Sequence, residues 1–152
     1  MEVTMENQEI QDANKNQVVV FQLVDEEYAV DITQSRQIIK TSKITPVPNT
    51  PDYIRGVINL RGQIVPVVDL CRRFDIENEG KKERIITVDV RDSLIGLIVD
   101  NINQVIWYEL DQLEPAPELD GGIRQEYVKG VIKRDGRLLV LINLDKMLFE
   151  NS

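Results

Sequence analysis

From Gln17 the chain alternates with the period of a strand in a sheet. In VVVFQLV, Val19, Phe21 and Leu23 fall on one side and Val18, Val20 and Gln22 on the other. Asp25, Glu26 and Glu27 make an acidic turn. Tyr28, Val30 and Ile32 then alternate with Ala29 and Asp31, which predicts a second strand and hence a hairpin. Gln34 to Lys40 fits either a short strand or a helical turn. ITPVPNTP follows, and its three prolines deny a regular ladder. Thr50 before Pro51 predicts a single helical turn, Thr50 to Arg55, ended by Gly56. GVIN and GQIVPVV predict two strands around the Leu60-Arg61-Gly62 bend, with Pro66 marking an edge or a bulge. Asp69 is placed to cap a short helix, Leu70 to Phe74, and the polar stretch Glu77 to Glu83 is the expected junction between units.

The second half has the same grammar. RIITVDV and LIGLIVD predict a hairpin about Arg91, Asp92 and Ser93, and INQVIWY continues as a strand. Leu110 to Leu113 predicts a helical turn, and Glu114 to Gly122 a loop. VKGVIK and RLLVLIN flank Arg134-Asp135-Gly136, where Asp-Gly is a strong hairpin signal. Asn143 is placed to cap a last helix, Leu144 to Phe149.

The two halves are copies. YIRGVINLRGQIVPVVDL from Tyr53 and YVKGVIKRDGRLLVLINL from Tyr127 align at a constant offset of 74, carrying Gly56 onto Gly130, Gly62 onto Gly136 and Leu70 onto Leu144. Upstream the echo is fainter: Asp25, Ala29, Val30 and Gln37 meet Asp92, Gly96, Leu97 and Gln104 at an offset of 67, and Pro46 and Pro48 meet Pro115 and Pro117 at 69. The upstream match fits either loop insertions between matching strands or the general likeness of β-rich sequences. Two like units are expected, with a seam between them. Short strands with regular turn punctuation predict small barrels.

The 152 residues and their 42% hydrophobic content suit one compact body or two small ones sharing a core. No apolar run approaches a bilayer span, and the acidic, polar start reads as a disordered tail over residues 1–16, with no signal peptide. With no histidine and a single cysteine, Cys71, the chain can build no His–Cys metal set, no serine–histidine pair and no internal disulfide. No cofactor is expected. A net charge of -8 opposes binding to nucleic acid or anionic membrane. The single thiol and the absence of a signal point to the cytoplasm.

Candidate catalytic groups do not rise above background. Asp25, Glu26 and Glu27 read as a solvated turn, and Gly121-Gly122 lacks the Lys-Ser/Thr of a phosphate loop. Recognition fits better. Arg61 is a forked cation between Leu60 and Gly62, placed either to pair with a carboxylate or to face a partner, and its counterpart Asp135 has the opposite sign. Alternation turns one of Trp107 and Tyr108 outward. Val18 and Val20 on the second face of their strand provide more apolar surface than one barrel needs.

FQLVDEEYAVDI followed by NTPDYIRGVINLRGQIVPVVDL resembles the CheW family of chemotaxis coupling adaptors, and the likeness runs from Gln17 to Phe149. The resemblance implies an all-β fold of two SH3-like, five-stranded β-barrels packed on each other with few short helices. It implies a single domain over 17–150, the first barrel mainly 17–80 and the second mainly 81–150, with an exchange of strands between them left open. It implies no enzymatic activity, and binding to the regulatory domain of a CheA-like histidine kinase and to the cytoplasmic tip of methyl-accepting chemoreceptors. By position, Arg61 and Asn59 of NLRG, Gly56 of IRG, and Ser35 and Gln37 in the strand beside them are the implied protein-binding residues. The family commonly carries glutamate where this chain has Gln37, so Arg61 loses that ion pair and is expected to be partly exposed or to meet another carboxylate. A non-flagellar chemosensory pathway and a small-ligand-binding barrel are the alternatives.

Overall fold

The computed structural model describes residues 15–32, 35–40, 43–77, 83–116 and 124–149. Among the described residues eleven strands and two short α-helices follow one another: β1 Lys15–Leu23, β2 Glu26–Asp31, β3 Ser35–Lys40, β4 Ile54–Leu60, β5 Gln63–Asp69, α1 Leu70–Arg73, β6 Arg84–Val90, β7 Ser93–Val99, β8 Asn101–Glu109, β9 Leu113–Glu114, β10 Val128–Arg134, β11 Arg137–Ile142 and α2 Leu144–Phe149. They form a six-stranded sheet in the order β8-β1-β2-β11-β10-β9 and a five-stranded sheet in the order β3-β6-β7-β5-β4.

The fold is therefore all-β in two sheets, and each sheet takes strands from both halves of the chain. The β1–β2 hairpin leaves its own repeat to sit between β8 and β11, and β6–β7 sits between β3 and β5. The exchange is reciprocal and keeps register: Val67 lies parallel to Gly96, and its counterpart Leu141 lies parallel to Ala29. The upstream echo is thus structural, with β1, β2 and β3 matching β6, β7 and β8. Alternation on β1 gives the reason. Val19, Phe21 and Leu23 enter a central core between the sheets with Ile86, Val88, Leu97, Val140 and Ile142. Val18 and Val20 enter a second core with Ile106, Tyr108, Ile132 and Leu141. A strand apolar on both faces is satisfied only between two cores.

Each sheet also curls about its own core. Residues from edge strand β8 and from β10 at the far side share one cluster, and Ile39 of β3 packs with Ile58 of β4 in the other. Asp69 caps α1 by accepting from the Arg72 N–H, and Asn143 does the same for α2 at Lys146.

Several local expectations change. Thr50 to Arg55 is a turn closed by Ile54 N–H on Pro51 O (3.0 Å), and Ile54 already begins β4. Gly56 lies inside that strand, because a Cβ there would stand 2.2 Å from the Thr45 carbonyl oxygen that crosses it. Of the segment expected as strand or helical turn, Gln34 lies outside the described residues and Ser35–Lys40 form strand β3. Pro66 faces Val57, whose N–H and C=O both bond Thr45, so the missing proline donor costs β4 nothing. Leu110–Gln112 is a 3₁₀ turn. Lys15 and Asn16 already belong to β1, and the rest of the expected tail lies outside the described residues, as do residues 78–82 of the junction and the Gly121-Gly122 loop.

Candidate interaction site

The β4–β5 turn is two residues long, Leu60 pairing Gln63 across it, and both turn residues have positive φ: Arg61 at 55° and Gly62 at 85°. That is the hairpin geometry whose twist matches the flanking strands. Asn59 fixes the turn by accepting from the Gly62 N–H at 2.8 Å. Arg61 is thereby held on the outside, exposed and with no ion pair among the described residues.

Beneath it lies an open hollow of about 490 Å³, lined by Gln37, Thr87, Asp89, Asp92, Leu60, Leu94, Gln63 and Arg61. Leu60 and Leu94 close the inner core of the five-stranded sheet below. Thr87 hydroxyl donates to Gln37 O at 3.3 Å, across a register shift between Ser35 and Gln37. The structure thus brings Gln37 and Arg61 to one hollow and puts Asn59 under its turn. Ser35 and Gly56 do not line it: Ser35 starts β3, and Gly56 is buried under Thr45. The carboxylates sharing the hollow with Arg61 are Asp89 and Asp92, which took no part in the sequence reading of this site.

The repeat places a second hollow, of about 270 Å³, at the matching end of the other sheet. Gln104, Asp135 and Arg137 stand there where Gln37, Arg61 and Gln63 stand in the first. Arg137 pairs with Glu27 at 3.4 Å. The apex residue changes from cation to anion between the two ends. Apolar side chains protrude in matched pairs as well: Ile38 with Val105, and Ile64 with Leu138. Trp107 is the outward member of its pair at 40% exposed, and Tyr108 is buried.

Two groups missed by sequence reasoning join the halves. Arg55 on β4 ion-pairs with both Asp69 and Glu83 at 3.1 Å, and those carboxylates raise its pKa, the Glu83 hydrogen bond most. Arg73 on α1 lies between the rings of Tyr53 and Tyr127, 4.9 and 4.7 Å from their centroids. The signal for Arg73 was a break in equivalence, since it stands where the second copy has Met147, whereas Arg55 stands opposite another cation, Lys129, and gave none. Among the described residues no three His, Cys, Asp or Glu side chains gather to hold a metal ion, and no helix is long and apolar enough to cross a membrane.

A doubled all-β body with paired surface hollows and protruding apolar side chains defines a class of protein-interaction modules. The CheW-like domain model matches residues 17–151. The chemotaxis protein CheW of Klebsiella aerogenes is 34% identical over 132 residues, 86% of this chain and 80% of that one. The Bacillus subtilis chemotaxis protein CheW is 39% identical over 140 residues, 89% of this chain and 88% of its own. The crystal structure of the scaffolding protein TtCheW from Thermoanaerobacter tengcongensis superposes with a TM-score of 0.83 at 38% identity, covering 90% of this chain and 89% of that one. The chain belongs to the CheW-like domain family.

Proposed function

We propose that the chain is a chemotaxis coupling adaptor of the cytoplasm, which binds the regulatory domain of a CheA-like histidine kinase and the cytoplasmic tips of methyl-accepting chemoreceptors and transforms no substrate. The observation that carries this reading is the pair of equivalent hollows with opposite apex charges, Arg61 at one end and Asp135 at the other. Two such ends let one molecule engage two partners at once, which is what coupling requires. An enclosed, mainly apolar pocket is what a small metabolite needs, whereas the Arg61 hollow is open and lined by polar and charged side chains.

Calorimetric titration with the isolated kinase regulatory domain tests the proposal. Binding with a Kd of tens of micromolar or tighter is expected, the strength of transient signalling contacts. Absence of heat at that concentration, with both proteins folded, overturns it.

A further inference from the structure

β5 and β7 are parallel neighbours, Val67 beside Gly96, so the turns that lead into them leave the sheet at the same end. The first turn is Arg61-Gly62. The second is Arg91-Asp92, closed by Val90 pairing Ser93, and both of its residues also have positive φ, 52° and 61°. This second turn is fastened to α2: Arg91 ion-pairs with Asp145 and lies over the Phe149 ring, 4.9 Å from its centroid. Its neighbour Asp92 is left exposed on the Arg61 hollow. Arg61 and Asp92 therefore line one hollow with opposite signs, and neither makes an ion pair among the described residues. Asp89 differs, since it already takes part in an interaction within the chain. Leu60 and Leu94, next to the two turns, give the hollow its half-buried apolar floor.

Resting on the adaptor role proposed above, the geometry points to Asp92 as a specificity-determining residue of this hollow. The occupant is a segment of the kinase regulatory domain that sets a basic side chain against Asp92, an acidic one against Arg61 and an apolar one on Leu60 and Leu94. Two opposite charges on fixed turns dictate the direction in which such a segment lies, because the reversed segment would set acid against Asp92 and base against Arg61. The net charge of -8 draws in the basic part of the segment, and Arg61 is the local exception that accepts its acid. The repeat supplies the contrast. β2 and β11 are parallel neighbours too, and the turns that lead into them carry Asp25 and Asp135, two acids where the first end has Asp92 and Arg61. A segment of mixed sign is therefore matched by the turns of the first end and not by those of the second.

Calorimetric titration of the full chain and its variants with the isolated kinase regulatory domain is the test. Asp92→Asn keeps the side-chain shape and tolerates positive φ, so its melting temperature should not change. Its Kd should rise about fivefold at low salt, as for loss of one partly exposed charge pair. Raising the salt from about 50 to about 500 mM should bring that ratio close to one, because screening removes a charge contact and leaves a structural effect in place. Asp92→Lys should weaken binding about thirtyfold or more by setting like charges together. One Lys→Glu or Arg→Glu change among the exposed bases of the kinase domain should then recover most of that loss. Asp25→Asn, at the equivalent turn of the other end, should bind as the unaltered chain does. If the unaltered chain fails to bind, the adaptor role falls and this assignment falls with it. If it binds, and both Asp92 variants bind equally well, the assignment of Asp92 alone is overturned. A loss that persists at high salt, an equal loss in Asp25→Asn, or a kinase scan with no rescue of Asp92→Lys overturns it as well.

Discussion

Arg73 and Met147 occupy the same position in the two copies of the repeat, and the first holds the second. Arg73 donates from Nε and Nη2 to the Met147 carbonyl oxygen, at 3.2 and 2.9 Å, and from Nη2 to the Tyr127 hydroxyl at 2.9 Å. The end of α2 is therefore satisfied by a side chain from α1, and the guanidinium lies between the repeat-related Tyr53 and Tyr127. One residue ties both copies at their seam.

Arg73→Ala is expected to lower stability by about 2–3 kcal/mol, combining two half-buried cation–π contacts with charge-assisted hydrogen bonds. Arg73→Lys should recover less than half of that, since an ammonium cannot lie flat between two rings and fork to one carbonyl. Urea unfolding of the three proteins measures both. Equal midpoints for wild type and Arg73→Ala would show that the clasp is decorative.

Gly56 and Gly62 predict unequal responses to the same change. A Cβ at Gly56 would meet the Thr45 carbonyl oxygen at 2.2 Å with φ at +143°, while at Gly62 nothing lies within 4 Å. Gly56→Ala should cost about 3 kcal/mol or more, through a backbone clash in a buried crossing. Gly62→Ala should cost about 1–2 kcal/mol, from its positive φ alone. Loss of partner binding in Gly56→Ala should then track loss of folded protein, measured by thermal melts alongside titration. A Gly56→Ala chain that melts normally yet fails to bind would instead make this glycine a contact residue.

How much of this was legible follows from what each residue type reports locally. The repeat, the hairpins and both helix caps at Asp69 and Asn143 could be read because turns and caps are local. The exchange of β1–β2 could not. Val18 to Phe21 announce a strand buried on both faces, but alternation names no pairing partner, and β8 and β11 lie far along the chain. Gly56 misled for a related reason. A glycine near a proline reads as a helix stop, whereas its cause is Thr45 passing over it. Of the residues lining the hollow, Arg61 and Gln37 were named from sequence. Asp89 and Asp92 come to the hollow by sheet curvature, which no short window encodes.

Tyr28 sets an alkaline limit. Its ring stacks between Phe21 and Phe74, centroids 6.2 and 6.1 Å away, and burial first, then the Glu26 carboxylate and Cys71, push its pKa from 10.0 to about 12. In the unfolded chain the phenol ionises near its ordinary value. Between these values the unfolded state has given up a proton that the folded state keeps. The stability conferred by the neutral phenol is therefore complete below about pH 10 and drains away as the pH climbs through about 12. Tyr108 is shifted the same way, by burial and then Asp31, so its contribution falls over a range that also begins near pH 10. Melting temperatures from pH 9 to 11.5 should fall less steeply for Tyr28→Phe than for wild type. Parallel curves would mean that Tyr28 ionises as freely in the fold as outside it.

Arg61 separates binding from folding. It is exposed, makes no ion pair among the described residues, and sits at the tip of a turn whose geometry is held by Asn59 and Gly62. Arg61→Ala is therefore expected to change stability by no more than about 0.5 kcal/mol, as for other surface positions. Its effect should fall on the partner: a forked cation over a hollow shared with Leu60 and Leu94 has the character of an interface hot spot, and its loss is expected to weaken kinase regulatory-domain binding by about tenfold or more. Asp135→Ala, at the equivalent tip of the second sheet, serves as the matched control for removing a turn charge. Circular dichroism melts and calorimetric titration of both variants decide the matter. An unfolded Arg61→Ala chain would make the residue structural, and unchanged affinity would move the kinase contact away from this end of the molecule.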